Sequence, residues 1–510
     1  HSTDYLGDFS DEEAVVNAGE TAFDFYTGQV NSTLVEVHGI QVSMENTEHT
    51  DFHPRLAQFF LKELLSGYPI SNPYTGTYNF GETTVTSGFG TNFAFPRTQD
   101  IIDQSLSISN GDELWVNRTG EIGAQGQGNP MNQTGKPYEL FIRRNACDQT
   151  PVTVACTNSS LFSVGDASVG NTASVYIEDQ ATLAVQKNST LTVDDNSTVY
   201  VQAGGTLEIL QNGKVEVLNG GKIVVESGGT FKIGNAVINV ADFASTIHIE
   251  SGGTLQILDP FTFPGNGYFQ FDMGNILDVQ MAEFALLGQG NTTRFIKLNS
   301  GADLILPTGK NLSLSHGKID FGFNTSISVS SGAVELNFLQ LVGMQPSTGT
   351  GIYIEQGTGL AVTGCQFNNL AQGLHLDGYI GANPISLDYC TFSEFSYRGL
   401  VINDCTVDLE VNHCDFSWPQ AATAIELGDV FYSRIYNTTI HCTNQAIGAI
   451  GMRLKSSKVT VLDDSEISNC DIGIDGRQQT GLGQIYYNNI DLINQTTIED
   501  CNIGVYLEGA

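Results

Sequence analysis

The stretch Gly204–Ile233, GGTLEILQNGKVEVLNGGKIVVESGGTFKI, says one eight-residue phrase about four times. Cut in octads from Ala173, the chain reads ASVYIEDQ, ATLAVQKN, STLTVDDN, STVYVQAG, GTLEILQN, GKVEVLNG, GKIVVESG and GTFKIGNA. The phase breaks at Val237, returns with STIHIESG at Ser245 and GTLQILDP at Gly253, and reappears with GKIDFGFN at Gly317 and TSISVSSG at Thr325. Positions three and five are apolar: Val175 and Ile177, Leu183 and Val185, Leu207 and Ile209, Phe231 and Ile233. Positions two and four are mostly Thr, Lys, Glu or another polar residue. That alternation is the mark of a half-buried strand. Positions seven, eight and one are Asn, Gly, Ser or Asp, which tolerate the positive φ of a sharp bend. One octad is therefore one short strand plus one turn.

Such a strand is too short to bury a face alone, but stacked in register many of them share a continuous interior. Three octads fill one coil of a three-sided parallel β-helix. An antiparallel sandwich also uses short strands and turns, yet nothing in it demands a rigid eight-residue step. The expected fold class is all-β. Residues 173–345 form the octad β-helix, 106–172 the transition into its first coils, and 346–510 looser β-helix repeats.

In the looser part Cys365, Cys390, Cys414, Cys442, Cys470 and Cys501 recur at steps of 25, 24, 28, 28 and 31 residues. They stand in the related phrases GCQFNN, YCTFSEF, HCDFSWP, NCDIGID and DCNIGVY, and GLHL, GLVI, GIDG or GVYL recurs between them. One Cys per coil reads as a ladder of small buried side chains. A zinc site would need Cys or His in tight pairs, and none occur. The residue before each Cys, namely Gly364, Tyr389, His413, His441, Asn469 or Asp500, reads as a turn column, since Asn, Asp and His are enriched at positive φ. Cys147 and Cys156 are spaced for a local disulfide, though sequence alone does not fix pairing.

Residues 1–105 read differently, as an N-terminal cap or accessory region. PRLAQFFLKELLSG (Pro54 to Gly67) has apolar residues at helical spacing, Pro near its start and Gly at its end, and predicts one short helix. The stretch from Gly67 to Asp100 is rich in Gly and aromatics and reads as an irregular packed loop. Tyr74, Tyr78 and Phe80 are its candidates for binding a glycan or partner.

Fifty-six acids against 21 bases give a net charge of −35. That excludes nucleic-acid binding and anionic membrane surfaces, which need clustered Lys and Arg. No apolar stretch approaches the roughly 20 residues of a membrane-spanning helix. His1 in place of Met reads as the trace of a removed export signal, so the expected location is extracellular or at the cell surface.

Two resemblances rest on these motifs. The looser coils resemble the right-handed parallel β-helix repeats of the pectin-lyase-like superfamily. The octads GGTLEI, GGKIVVESGGTFKI and SGGTLQIL resemble low-complexity repeats of large secreted surface proteins of Bacteroidota, many of them exported by type IX secretion. The first resemblance implies polysaccharide lyases and hydrolases among the relatives. Asp194-Asp195, His316-Gly317 and Arg453-Leu454-Lys455 follow the order of a polygalacturonase-type fingerprint. Asp195 and His316 are about five coils apart, however, or roughly 24 Å at strand spacing, too far to share one glycosidic bond. A pectate-lyase-type site would need clustered cations, and Arg398, Arg434, Arg453 and Arg477 read as scattered. Weak catalytic candidates are Asp471, Asp475, His413 and His441. No cofactor is expected, and calcium has no supporting motif.

The expected function is therefore a secreted or surface structural protein: a stalk, adhesin or filament subunit. Its partners would be further copies joined end to end, or a glycan. A carbohydrate-active β-helix enzyme is the alternative, with its site on the irregular rungs beyond Gly351. More coils, a cap or a partner are expected beyond Ala510.

Overall fold

The computed structural model describes residues 150–168, 172–288, 294–344, 349–457, 459–477 and 488–508, together with short segments, mostly strands, between Phe23 and Arg144. The chain divides into two units, His1–Ile70 and Ser71–Ala510. In the first, Phe23–Asp24 pairs antiparallel with Gln29–Val30. The expected helix, Pro54 to Gly67, lies outside the described residues, and no helix occurs among them.

The second unit is a parallel β-helix. Val175 pairs with Val199, Val199 with Ile223 and Ile223 with Ile247, a step of one coil every three octads. Octads a third of a coil further on build the other two walls. Leu183 pairs with Leu207 and then Phe231, and Leu191 with Val215 and then Ile238. Every one of these side chains is fully buried. Each removes a Val-to-Phe-sized apolar group from water, worth about 1.5–3 kcal/mol. One wall runs unbroken through sixteen strands, from Gln99–Ile102 to Thr497–Glu499.

The corners follow from the turn residues. Lys187, Asn188, Asp195, Asn196, Gln211, Asn212 and Asn219 all have positive φ. Position one of the octad points inward at the corner, where space is tight. A Cβ on Gly205 would collide with the carbonyl oxygen of Ile177 on the neighbouring coil. Where Ser takes this place its hydroxyl does structural work. Ser189 Oγ accepts from the Ser160 amide at 3.1 Å, and Ser197 Oγ from the Ala173 amide at 2.9 Å. The outer face carries cross-coil pairs such as Lys232–Glu208 at 2.9 Å, and the stacked rings of Phe141, Tyr176 and Tyr200.

Two readings of the sequence need correction here. The stretch expected to be an irregular loop holds the strands Thr77–Phe80, Glu82–Thr86 and Asn92–Pro96, paired antiparallel in succession. Thr77–Phe80 also pairs in parallel with Glu113–Val116, so this meander continues one wall of the β-helix. Gly-rich turns hid the alternation of ETTVT and NFAFP.

The cysteines likewise form two columns, not one. Thr391 pairs with Asp415, Asp415 with Thr439, Thr439 with Glu466 and Glu466 with Thr497. The residues just before them align as Cys365, Cys390, Cys414, Thr438, Ser465 and Thr496. Hydroxyls replace thiols part way, and the Thr438 amide donates to Ser465 Oγ at 3.2 Å. Cys442 instead faces Trp418, at the far end of the same strands, and Cys470 and Cys501 follow at that corner. The lengthening steps beyond Cys414 carry this change of corner.

Candidate functional site

The looser coils differ from the octads in their strands. Arg398–Asn412 runs 15 residues and Thr423–Tyr436 runs 14, each continuing around a corner so that two walls become one sheet. The GLHL, GLVI, GIDG and GVYL phrases begin strands of this sheet. Their glycines, Gly373, Gly399, Gly473 and Gly504, sit one coil apart or nearly so. A Cβ on Gly399 would lie 2.8 Å from the Ala424 carbonyl oxygen and 3.1 Å from the Phe416 ring. Gly373 would meet the Phe392 ring at 2.8 Å. The glycine side of the strand thus presses on the core, and the residue before it is turned outward. Gln372 and Arg398 occupy that preceding place and pair with each other in register.

Three residues along, the outer column runs His375, Val401, Glu426, Arg453, Asp475 and Tyr506. Five charged groups meet there. Glu426 is only 2% exposed. Lys455 Nζ lies 2.6 Å from its Oε1, and Arg398 Nε and Arg453 lie 3.0 and 3.7 Å from its Oε2. Arg453 also reaches Asp475 Oδ2 at 3.7 Å. A buried carboxylate without cations would be costly, so these partners explain how Glu426 is held. They do not complete its hydrogen bonding. Among the described residues six buried side-chain polar atoms lack a hydrogen-bond partner, and three of them are here: Gln372 Nε2, Arg398 Nε and Glu426 Oε2. The Arg398–Glu426 contact is close in charge but poorly aligned as a hydrogen bond.

The site extends along the wall. His375 lies edge-on to Tyr353 at 5.1 Å, Asn403 approaches its Nε2 at 3.4 Å, and Tyr353 donates to Asp377 at 3.5 Å. Burial holds His375 below the usual imidazole range; Asp377 opposes that shift, Arg398 reinforces it and Glu426 opposes it. Tyr397, just before Arg398, has its ring centroid 4.2 Å from the guanidinium carbon and is 54% exposed.

The candidates read from sequence fall in different places. Arg398 and Arg453, read as scattered, converge on Glu426 although 55 residues separate them. Lys455 joins them, so Arg453-Leu454-Lys455 presents both cations to one carboxylate. Arg434 pairs instead with Asp463, and the Arg477 side chain lies outside the described residues. Asp471 and Asp475 do not act as a pair. Asp471 accepts from Asn502 Nδ2 at 2.9 Å and the Gly448 amide at 2.8 Å, which hold its carboxyl below the usual range. Asp475 is buried within its strand. His413 occupies a turn at positive φ and stacks on Tyr389 at 4.6 Å. His441 is no turn residue: it lies inside Thr439–Cys442 with Nδ1 3.0 Å from Ser468 Oγ. Asp195 and His316 sit in separate turns. Tyr78 and Phe80 lie in a strand, with side chains outside the described residues, as is Tyr74. Cys156 is a free thiol facing the core, pushed up to about 12 by burial, and Cys147 lies outside the described residues. Glu426 was not singled out in the sequence. Only its coil register, with Val401 before it and Arg453 after, would have raised it.

No helix among the described residues is long and apolar enough to cross a membrane. No curated protein sequence matches the chain. Among solved structures, the crystal structure of a TibC-catalyzed hyper-glycosylated TibA fragment aligns over 83% of this chain and 100% of that one, at 10% identity and a TM-score of 0.20. Residues 344–509, the coils that carry the charged cluster, match the family described as periplasmic copper-binding protein (NosD).

Proposed function

We propose that the chain is a secreted or envelope-located β-helix scaffold, a stalk or adhesin, in which the octad coils form a rigid shaft and the looser coils a recognition surface. The carrying observation is the unequal distribution of chemistry. From Ala173 the octad columns repeat the same apolar, corner and cross-coil pairs, which build structure and little else. The cluster around Glu426 breaks that uniformity, and it falls within the part similar to a periplasmic family. End-to-end association of copies remains a natural extension, because solenoid ends present strand edges.

A polysaccharide-cleaving enzyme is the second reading, favoured by Glu426 and Asp475 on one face. A glycosidase needs one carboxyl to hold a proton as general acid, which an apolar pocket or a like charge arranges. Here each carboxylate faces a cation instead, which argues for binding over cleavage.

Copper belongs to the name of the matched family and is not assigned to this chain. The Cys365, Cys390 and Cys414 thiols are buried among core side chains. Among the described residues no three His, Cys, Asp or Glu side chains converge as a metal site.

Incubation with neutral and acidic polysaccharides, with and without calcium, followed by an assay for new chain ends, separates the two readings. The scaffold reading expects none; new ends would replace it with the enzyme. Sedimentation at rising concentration tests assembly, and a monomer throughout would remove that extension.

A further inference from the structure

We propose that Gln372, Tyr397, Arg398 and Glu426 form a subsite for a neutral sugar of an extracellular glycan, which supplies the hydrogen bonds that the protein leaves open. The inference rests on the scaffold-and-recognition reading above.

The argument begins with the unfilled atoms. Gln372 Nε2 and Arg398 Nε are donors, and Glu426 Oε2 is an acceptor. They stand on three successive coils, Gln372 in register with Arg398 and Glu426 three residues past Arg398's partner Thr423. Gln372 is 8% exposed and Glu426 2%. Buried polar groups are ordinarily paired, so three unpaired ones in one place point to a missing partner. A hydroxyl group both donates and accepts. One sugar hydroxyl can accept from Arg398 and donate to Glu426, and a second can accept from Gln372.

Charge selects among ligands. An acidic group would meet Glu426 and Asp475 at the site and a net charge of −35 on the whole chain. The cations that would welcome it are engaged: Lys455 with Glu426, and Arg453 with Glu426 and Asp475. An ammonium ligand would face Arg398. A neutral, hydroxyl-rich ligand meets neither objection. Tyr397 completes the set, since its half-exposed ring offers an apolar face beside the polar atoms, the mix on which small-ligand sites are built. The adjoining polar column, from Tyr353 and Asp377 through Asn403, gives a chain of sugars further places to lie along the wall.

The test is isothermal titration calorimetry of the full chain with cellohexaose, maltohexaose, mannohexaose and chitohexaose, and with hexagalacturonate as the acidic control. At least one neutral hexasaccharide is expected to bind. Tyr397→Ala should weaken it about tenfold or more, and Gln372→Ala about three- to tenfold, as loss of single ligand contacts does. Circular-dichroism melts of both variants should match the parent chain, which separates lost binding from lost folding. Binding of hexagalacturonate alone, unchanged affinity in both variants, or no binding at all would overturn the subsite. Chain ends are assayed in the same samples. New ends would overturn the scaffold reading while the variants still judge the subsite, and no binding without new ends overturns the subsite and leaves the scaffold.

Discussion

The octad coils and the looser coils share one core and differ in what their outer faces carry. In the octads, Leu207 and Ile209 point inward from a five-residue strand, and Thr206 and Glu208 point outward into pairs that the next coil repeats. In the looser coils the inward columns persist, with Phe367, Phe392 and Phe416 stacked at 4.5 and 4.6 Å. The outward columns no longer repeat: His375, Val401, Glu426, Arg453 and Asp475 follow one another. A β-helix thus separates stability from specificity. The inside must repeat for coils to stack, and the outside is free to vary.

The sharpest test of that separation removes one ring from the shared core. Phe392→Ala should cost about 3–5 kcal/mol, and Leu207→Ala in the octads about 2–5 kcal/mol, as buried large-to-small changes do. Long repeat arrays depart from two-state unfolding, so hydrogen exchange coil by coil is the suitable readout. Protection should fall around the altered coil in both regions. A loss confined to the octads would break the idea of one continuous core.

Next comes the glycine column that turns Arg398 outward. Gly399→Ala places a methyl against the Phe416 ring and the Ala424 carbonyl, and should cost about 1–3 kcal/mol. No octad glycine does this job, so the variant should loosen the charged cluster and leave the exchange of octad amides unchanged. Unaltered protection at Glu426 and Arg453 would refute the role given to Gly399.

Smaller effects are expected on the outer octad face. Tyr176 stacks between Phe141 and Tyr200, with centroids 4.7 and 4.9 Å away. Tyr176→Ala should cost about 0.5–1.5 kcal/mol for the lost stacking, measured as a shift in urea midpoint. A cost as large as that of Phe392→Ala would mean that the outer ladder carries core-like weight.

The smallest effect concerns pH. Burial lowers the His375 pKa in the folded chain, so the unfolded chain takes up its proton first. The stability tied to neutral His375 is therefore complete above the unfolded value of about 6.5 and is lost as pH falls toward the folded one. His375→Gln should flatten the acid side of a melting-temperature profile slightly. A steeper loss in the variant would reverse the sign and point to a protonated His375 in the fold.

Much of this was legible in the residues because it is periodic. Val175, Leu207 and Phe231 declared inward positions, and Asn188, Asn196 and Asn212 declared corners, each by place in the octad. The charged cluster was not legible, because its parts are unremarkable alone. Arg398 is one Arg among several, Glu426 one acid among 56 acidic residues, and Arg453 and Lys455 belonged to a fingerprint whose other elements lie coils away. The cysteine steps misled for a related reason: a change of three residues in spacing moves a thiol from one corner to the next without disturbing the pattern GLHL, GLVI, GIDG.

The sequence by itself determined the strand length, the turn chemistry and the three-octad coil, since those follow from local alternation and backbone tolerance. Only the tertiary structure decided which residues share a column on the outer face. That alignment depends on the cumulative length of every coil between them. It placed Glu426 against Arg398, Arg453 and Lys455, and it left three buried polar atoms without partners at one spot on the wall.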